Sequence, residues 1–297
     1  MQELMTRLRS GGTTISIHPS SGKIVGISLD GSGELLLERP DDAGDEIVSC
    51  GPSVDDRFDV RRAWGFDECF PTVGGFPAAG LRDHGWLWGA PLRMSSGGVS
   101  ELLSVWSSPS GVCFERRVTA LPLEAGECGS FCFELDYLPL VPLLGEHGRS
   151  PNSCLALYAA HALFAMETGD ELQVWDCREE SCPTFVWGAV FPDAADRQAQ
   201  KLYLTGVGRL EARLFRRSLG VEIQIRCGRQ LNYMGIWWCN NGWGDGREHR
   251  TVGIEPTSHP SDGPVLAAPM GDSRDQEPVR ASFSLRVLSG ARSSWHY

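Results

Sequence analysis

Three ionisable side chains, spread over most of the chain, have the types and settings that move protons. Glu255 lies in VGIEPTSHP between Ile254 and Pro256. The proline biases it to an extended backbone. Its apolar flanks would strip water from the carboxylate, raise its pKa and make it a better base. His161 stands in LYAAHALFAMETGD, an imidazole in an otherwise apolar strand. Burial would lower its pKa and leave either protonation state accessible near neutrality. His84, in LRDHGWLWG, precedes Gly85, which permits unusual backbone angles or close approach of a ligand. Trp86 and Trp88 would exclude water around that ring. Each group also has a purely structural reading: a strand-end glutamate paired with Arg247 or Arg250, a histidine held by Asp83, a core histidine bonded to a carbonyl. Only a fold that brings the three together makes them a site.

Other chemistries find less support. His84, His161, Glu255 and His259 could ligate zinc in kind, but no pair has HxH or HExxH spacing, so no metal is expected. There is no G-x-S-x-G for a serine nucleophile. The Gly-rich stretch GGVS at 97–100 lacks the strand-to-helix context of a phosphate cradle. Tryptophans are the remaining signal. Trp237, Trp238 and Trp243 fall in one aromatic strand and turn, YMGIWWCNNGW, and Trp64, Trp86 and Trp88 in the earlier loops. Indole faces and edges suit a ligand with an apolar C–H patch and a ring of hydroxyls, which is a sugar.

The elements that must position these groups alternate with a period of two. Ile15 and Ile17 alternate with polar neighbours, and Ser20–Gly22 reads as a hairpin turn that leaves His18 on a solvated face. In KIVGISLDG, Val25, Ile27 and Leu29 share one face. Residues 40–60 read as polar, acidic loop. Residues 61–94 are rich in Gly, Pro and aromatics without a period, so long ordered loops joining short strands are expected there, a common place for function. Strand patterns resume over 99–139 and 153–191. In the second block Leu155, Leu157, Ala159, His161 and Leu163 share a face whose opposite is also apolar, so that strand is sandwiched. PDAADRQAQK at 192–201 is the one helix expected. Beyond it, Val221, Ile223 and Ile225 oppose Glu222, Gln224 and Arg226, and Ala281, Phe283, Leu285 and Val287 oppose polar partners. Many strands and no linker predict an all-β chain, a large antiparallel β-sandwich forming a single domain over 1–297.

Composition narrows the partners. A net charge of −11 without a basic face argues against nucleic acid and anionic membranes. No apolar run is long enough to span a bilayer, and the N-terminus lacks the apolar centre of a secretory signal. The ten cysteines have no repeated spacing, and neither Cys128/Cys132 nor Cys177/Cys182 forms a zinc knuckle. Reduced, mostly buried thiols in a cytoplasmic protein are expected. The oligomeric state is not written in these features.

Five segments together resemble the aldose 1-epimerase (galactose mutarotase-like) superfamily: GFDECFPTV (65–73), DHGWLWG (83–89), AAHALFAMETGD (159–170), YMGIWWCNNGW (233–243) and VGIEPTSHPSD (252–262). They occur in the family's order. The resemblance implies a β-supersandwich, a small-molecule sugar as partner, and an isomerase that interconverts aldose anomers without a cofactor. It implies His161 as general acid, Glu255 as general base, and His84 as the histidine that binds and polarises the ring oxygen. Opening a hemiacetal needs a base for the anomeric O–H and an acid for the ring oxygen, both on one carbon, so the two groups must flank that carbon. The family's Asn-Arg segment has no counterpart; Asp67, Glu68 and Arg82 stand in that neighbourhood and, with Trp86 and Trp238, are the expected substrate contacts, which implies a different sugar. Two other readings fit the same scaffold. One is a carbohydrate-binding protein without turnover. The other is a glycoside hydrolase or lyase, where hydrolysis would need a second carboxylate, Asp67 or Glu68, about 5–9 Å from Glu255.

Overall fold

The computed structural model describes residues 5–41, 58, 62–70, 72–75, 82–98, 100–107, 113–138, 153–154, 158–178, 182–244, 248–262, 265–266 and 279–290. Every strand pairing among them is antiparallel, and they contain no α-helix. It follows that no helix among them is long and apolar enough to cross a membrane. One sheet runs, edge to edge, through β1 (Thr6–Ser10), β2 (Thr13–Ile17), β3 (Ile24–Leu29), β5 (Phe66–Cys69), β11 (Tyr158–Ala165), β18 (Arg250–Thr257), β17 (Tyr233–Asn240) and β14 (Gln198–Thr205), with β4 (Gly33–Glu34) paired to β3. The second runs through β13 (Thr184–Val190), β12 (Glu171–Asp176), β15 (Leu210–Arg216), β16 (Val221–Cys227), β20 (Val279–Ser289), β9 (Glu127–Leu138), β8 (Cys113–Ala120), β7 (Glu101–Ser107) and β6 (Arg93–Gly97). A two-stranded ribbon joins β10 (Ser153–Cys154) to β19 (Val265–Leu266).

The period-two pattern has a direct consequence: the apolar faces of the two sheets meet. Val221, Ile223 and Ile225 are buried while their alternates on β16 are half-exposed. Across the interface Phe66 of the first sheet meets Phe133 and Phe283 of the second, and the last two stack at 4.4 Å between ring centroids. One apolar cluster takes residues from both sheets. The fold is thus an all-β antiparallel supersandwich.

Two local expectations are overturned. Residues 192–201 form no helix. A turn closed by Asp196 N–H donating to Asp193 O at 3.0 Å leads into β14, which begins at Gln198 and pairs along its length with β17. The Asn240 amide donates to the carbonyls of Asp193 and Asp196, both at 2.7 Å, and so fixes the turn from the neighbouring strand. Sheet pairing outweighs the weak propensity of a short polar run. His18 is not solvated either. It is buried, and its Nδ1 lies 3.2 Å from both the Ser20 and Ser21 hydroxyls. The hairpin turn curls back over it, and Gly22 N–H donates to His18 O at 2.8 Å. Of the loop expected at 40–60, residues 42–57 and 59–60 lie outside the described residues, as do 155–157 of the sandwiched strand.

Candidate functional site

Register builds the site. Ala162 pairs with Phe66 on one side and Ile254 on the other, and Ile254 pairs with Ile236, which pairs with Leu202. This row faces the second sheet. The adjacent rows face the opposite way: Asp67 beside His161, and Tyr203 beside Gly235 beside Glu255. In β11 the pairing slips between Tyr158 and Ala162, where three residues oppose Glu255 and Pro256 alone. A bulge of this kind re-aims a side chain, and Pro256 lacks the N–H that a regular ladder would require.

The slip puts His161 Nε2 at 3.4 Å from Glu255 Oε1. Both residues are buried, Glu255 at 0% exposure. Two glycines make room for the carboxyl group. A Cβ on Gly235 would lie 3.0 Å from Glu255 Oε2, and one on Gly253 would lie 2.9 Å from Oε1 and 3.1 Å from Trp237 Cβ. The other carboxylate oxygen bonds Lys201 Nζ, which also approaches Asp262 Oδ1 at 3.6 Å. Asp262 accepts the Tyr203 hydroxyl, and its carbonyl accepts Val73 and Gly74 N–H at 3.0 and 2.7 Å. Neither Arg250 nor any other described arginine pairs with Glu255. Arg250 is spent on Asn240 Oδ1 at 3.0 Å and on Pro192 O and Thr168 Oγ1.

His84 enters from the loop. It has φ 58°, followed by Gly85 at φ 65°, a left-handed pair that is uncommon for a residue with a side chain and marks a constrained position. Its N–H donates to Val73 O at 2.6 Å, and its Nδ1 lies 3.0 Å from Asp83 Oδ1. The Asp83 contact turns the ring so that Nε2 is the nitrogen left for a ligand. The His84 and His161 rings meet edge to face at 5.1 Å. Phe58 stacks on His84 at 3.9 Å. Behind His161 stand Trp237 (6.3 Å, stacked), then Trp243 and His249 in mutual contact.

Burial sets the charges. Desolvation raises the Glu255 carboxyl, against the pull of Lys201. Desolvation lowers the His161 imidazole well below its ordinary value, helped by His84, Lys201 and Lys23. His249, against two indoles, is pushed down to about 4 by burial alone. Opposed shifts of neighbouring acid and base are typical of sites that transfer protons.

The remaining expected contacts divide. Asp67 lies on the site face and pairs with Lys23 Nζ at 2.7 Å. Glu68, one residue on, points between the sheets to Arg116 Nη1 at 2.7 Å. Arg82 clasps its own loop, donating to the carbonyls of Gly85 (2.6 Å), Trp86 (3.4 Å) and Trp88. Trp86 is half-buried against the apolar core. Trp238 belongs to that core, packed on Phe191 at 4.9 Å and Trp187 at 5.9 Å. Its neighbour Trp237 is the indole on the site face. His259 lies past the end of β18, its N–H donating to Thr257 Oγ1 at 3.1 Å. Sequence reasoning did not single out Lys201, Tyr203, Asp262, Phe58, His249 or Cys69. Lys201 was hidden by the expected helix; the alternation Lys201–Tyr203 opposite Leu202–Leu204 was the available signal. Cys69, 113, 128, 132, 177, 182, 227 and 239 carry free thiols.

No protein-family model matches the chain, and no curated protein matches it in sequence. Solved structures do match, over nearly whole chains. A protein from Synechocystis sp. PCC 6803 superposes with a TM-score of 0.63 at 13% identity, covering 97% of each chain. The galactose mutarotase related enzyme from Lactobacillus acidophilus gives 0.57 at 12% identity over 97% of this chain and 98% of that one. The aldose epimerase homologue from C. elegans gives 0.56 at 12% identity over 96% and 99%. Over nearly its whole length the chain has the galactose mutarotase-like fold.

Proposed function

We propose that this chain is a cofactor-independent isomerase of the aldose 1-epimerase kind, interconverting the anomers of an aldose. The observation that carries the reading is the 3.4 Å approach of His161 Nε2 to Glu255 Oε1, from neighbouring strands, with His84 edge-on to His161. The two oxygens that exchange protons in anomerisation share one carbon, so an acid and a base this close can serve both at once. Glu255 takes the anomeric O–H proton while His161 protonates the ring oxygen, and the C1–O5 bond breaks to give the open aldehyde. Rotation about C1–C2 presents the other carbonyl face. Closure re-forms the C1–O5 bond, and both protons return. His84, oriented by Asp83, hydrogen-bonds the ring oxygen, and Trp237 offers the stacking face. Asp67, paired with Lys23, binds a hydroxyl in this reading. Phe58 covers the face of His84, with ring centroids 3.9 Å apart. Fold alone would not carry this assignment, since one fold hosts many activities.

A panel of freshly dissolved aldoses, followed by polarimetry, tests the reading. Accelerated decay of optical rotation for at least one sugar is expected. No acceleration across the panel, with sugar binding retained, would replace it by a carbohydrate-binding protein without turnover.

A further inference from the structure

A thiol shares the surroundings of the two histidines. Cys69 is two residues beyond Asp67 on β5 and therefore on the same face. One ligand atom from each of Cys69, His84 and His161 lies within 4.8 Å of the other two, and all three residues are buried. In a tetrahedral site with metal–ligand bonds of about 2.0–2.3 Å, ligand atoms stand roughly 3.3–3.8 Å apart. Closure by about an ångström would therefore form one. The scaffold is suited to it. β5 and β11 are hydrogen-bonded neighbours, and the bridge between Phe70 and Gly85 ties the His84 loop to the residue after Cys69. Two further observations point to a missing occupant. His161 Nδ1 is buried without a hydrogen-bond partner, and such groups are rare unless a ligand satisfies them. The Asp83 contact to His84 Nδ1 is the carboxylate–histidine arrangement that orients metal-bound imidazoles.

We propose that Cys69, His84 and His161 bind a thiophilic divalent cation of the zinc class. On binding, the Cys69 S–H bond breaks, its proton leaves to solvent, and the sulfur pair is donated to the cation. Without the cation, burial and the nearby Asp67 and Glu255 carboxylates keep that thiol protonated; the metal charge reverses this. Coordination engages the same two imidazoles that the sugar chemistry uses, so the two occupants exclude each other. The cation site does not depend on the epimerase reading, and either can fail alone.

The test is a cobalt(II) titration of the reduced protein, kept in a non-chelating phosphine. A thiolate-to-cobalt charge-transfer band with the visible bands of tetrahedral cobalt is expected, saturating at one ion per chain at micromolar cobalt and displaced by zinc. Cys69→Ala should abolish the band, while Cys182→Ala, at an exposed thiol, leaves it intact. Zinc should raise the melting temperature of the wild type but not of Cys69→Ala. If Cys69→Ala does not fold, His84→Ala, in the loop, should weaken cobalt binding by about tenfold or more. Absence of the thiolate band, its persistence in Cys69→Ala, or unchanged affinity in His84→Ala would overturn the proposal.

Discussion

Removing water from a carboxylate and an imidazole shifts them in opposite directions, the acid up and the base down. At Glu255 the carboxyl is raised and at His161 the imidazole is lowered, so the two shifts run toward each other and set the balance of protons between the two groups. A reversible isomerisation needs that balance. Glu255→Gln and His161→Ala should each lower kcat by about 10²-fold or more in a polarimetric assay. Lys201 bears on the same balance, since its ammonium favours the ionised Glu255. In Lys201→Met the Glu255 pKa rises further, less base is available at a given pH, and the acid limb of the kcat/KM profile moves to higher pH. An unmoved limb would remove Lys201 from the mechanism. At this scale the sequence was readable where a polar residue interrupts an apolar run, as at His161 and Glu255. Lys201 and Cys69 gave no such contrast, because a lysine in a polar stretch and a cysteine beside acidic residues look ordinary.

Strand register turns these residues into a site, and register is also where reading the chain fails by single positions. Trp237 and Trp238 are adjacent, so they face opposite sides of β17. Nothing in an all-aromatic run says which is inside, and the pairing of Trp237 with Gly253 and Lys201 decides it. Asp67 and Glu68 divide in the same way. The two glycines beside Glu255 give the register a functional edge. In Gly253→Ala the new methyl group would stand 2.9 Å from Glu255 Oε1 and 3.1 Å from Trp237 Cβ. The carboxylate must then shift, and kcat should fall by about 10²-fold, as for other small misplacements, while circular dichroism stays native. Between the sheets, Glu68 is raised by burial but held by Arg116. Breaking that pair with Glu68→Gln should cost about 3–5 kcal/mol in urea unfolding, because it strands a buried guanidinium. A loss below about 1 kcal/mol would mean the pair is solvated.

For the whole molecule, the supersandwich was legible because alternation persists from the first hairpin to the last strand. The pairing order of the strands was not, because it depends on contacts far apart in sequence. Since one apolar cluster draws on both sheets, a single domain is the expectation, and denaturant unfolding should show one transition by fluorescence and circular dichroism alike; two separated transitions would divide the chain. Stability should also depend on pH. His249 has its folded pKa depressed to about 4 from an ordinary 6.5, so the unfolded chain takes up the proton first. Stability is full above the ordinary value, falls as pH drops through this window, and levels off below the folded value, with at most roughly 3 kcal/mol at stake. His161 acts with the same sign. His249→Phe should flatten the profile between these limits, and an unchanged slope would mean that His249 is solvated.

The most direct measurement is anomer exchange by two-dimensional NMR, on the sugar that the polarimetric panel selects, with wild type and Glu255→Gln at equal concentration. Exchange cross-peaks between the α and β anomeric protons should appear with the wild type and fall to the uncatalysed level with the mutant, while saturation-transfer signals show that both proteins still bind the sugar. Equal cross-peaks from the two proteins would contradict proton transfer by Glu255 and His161.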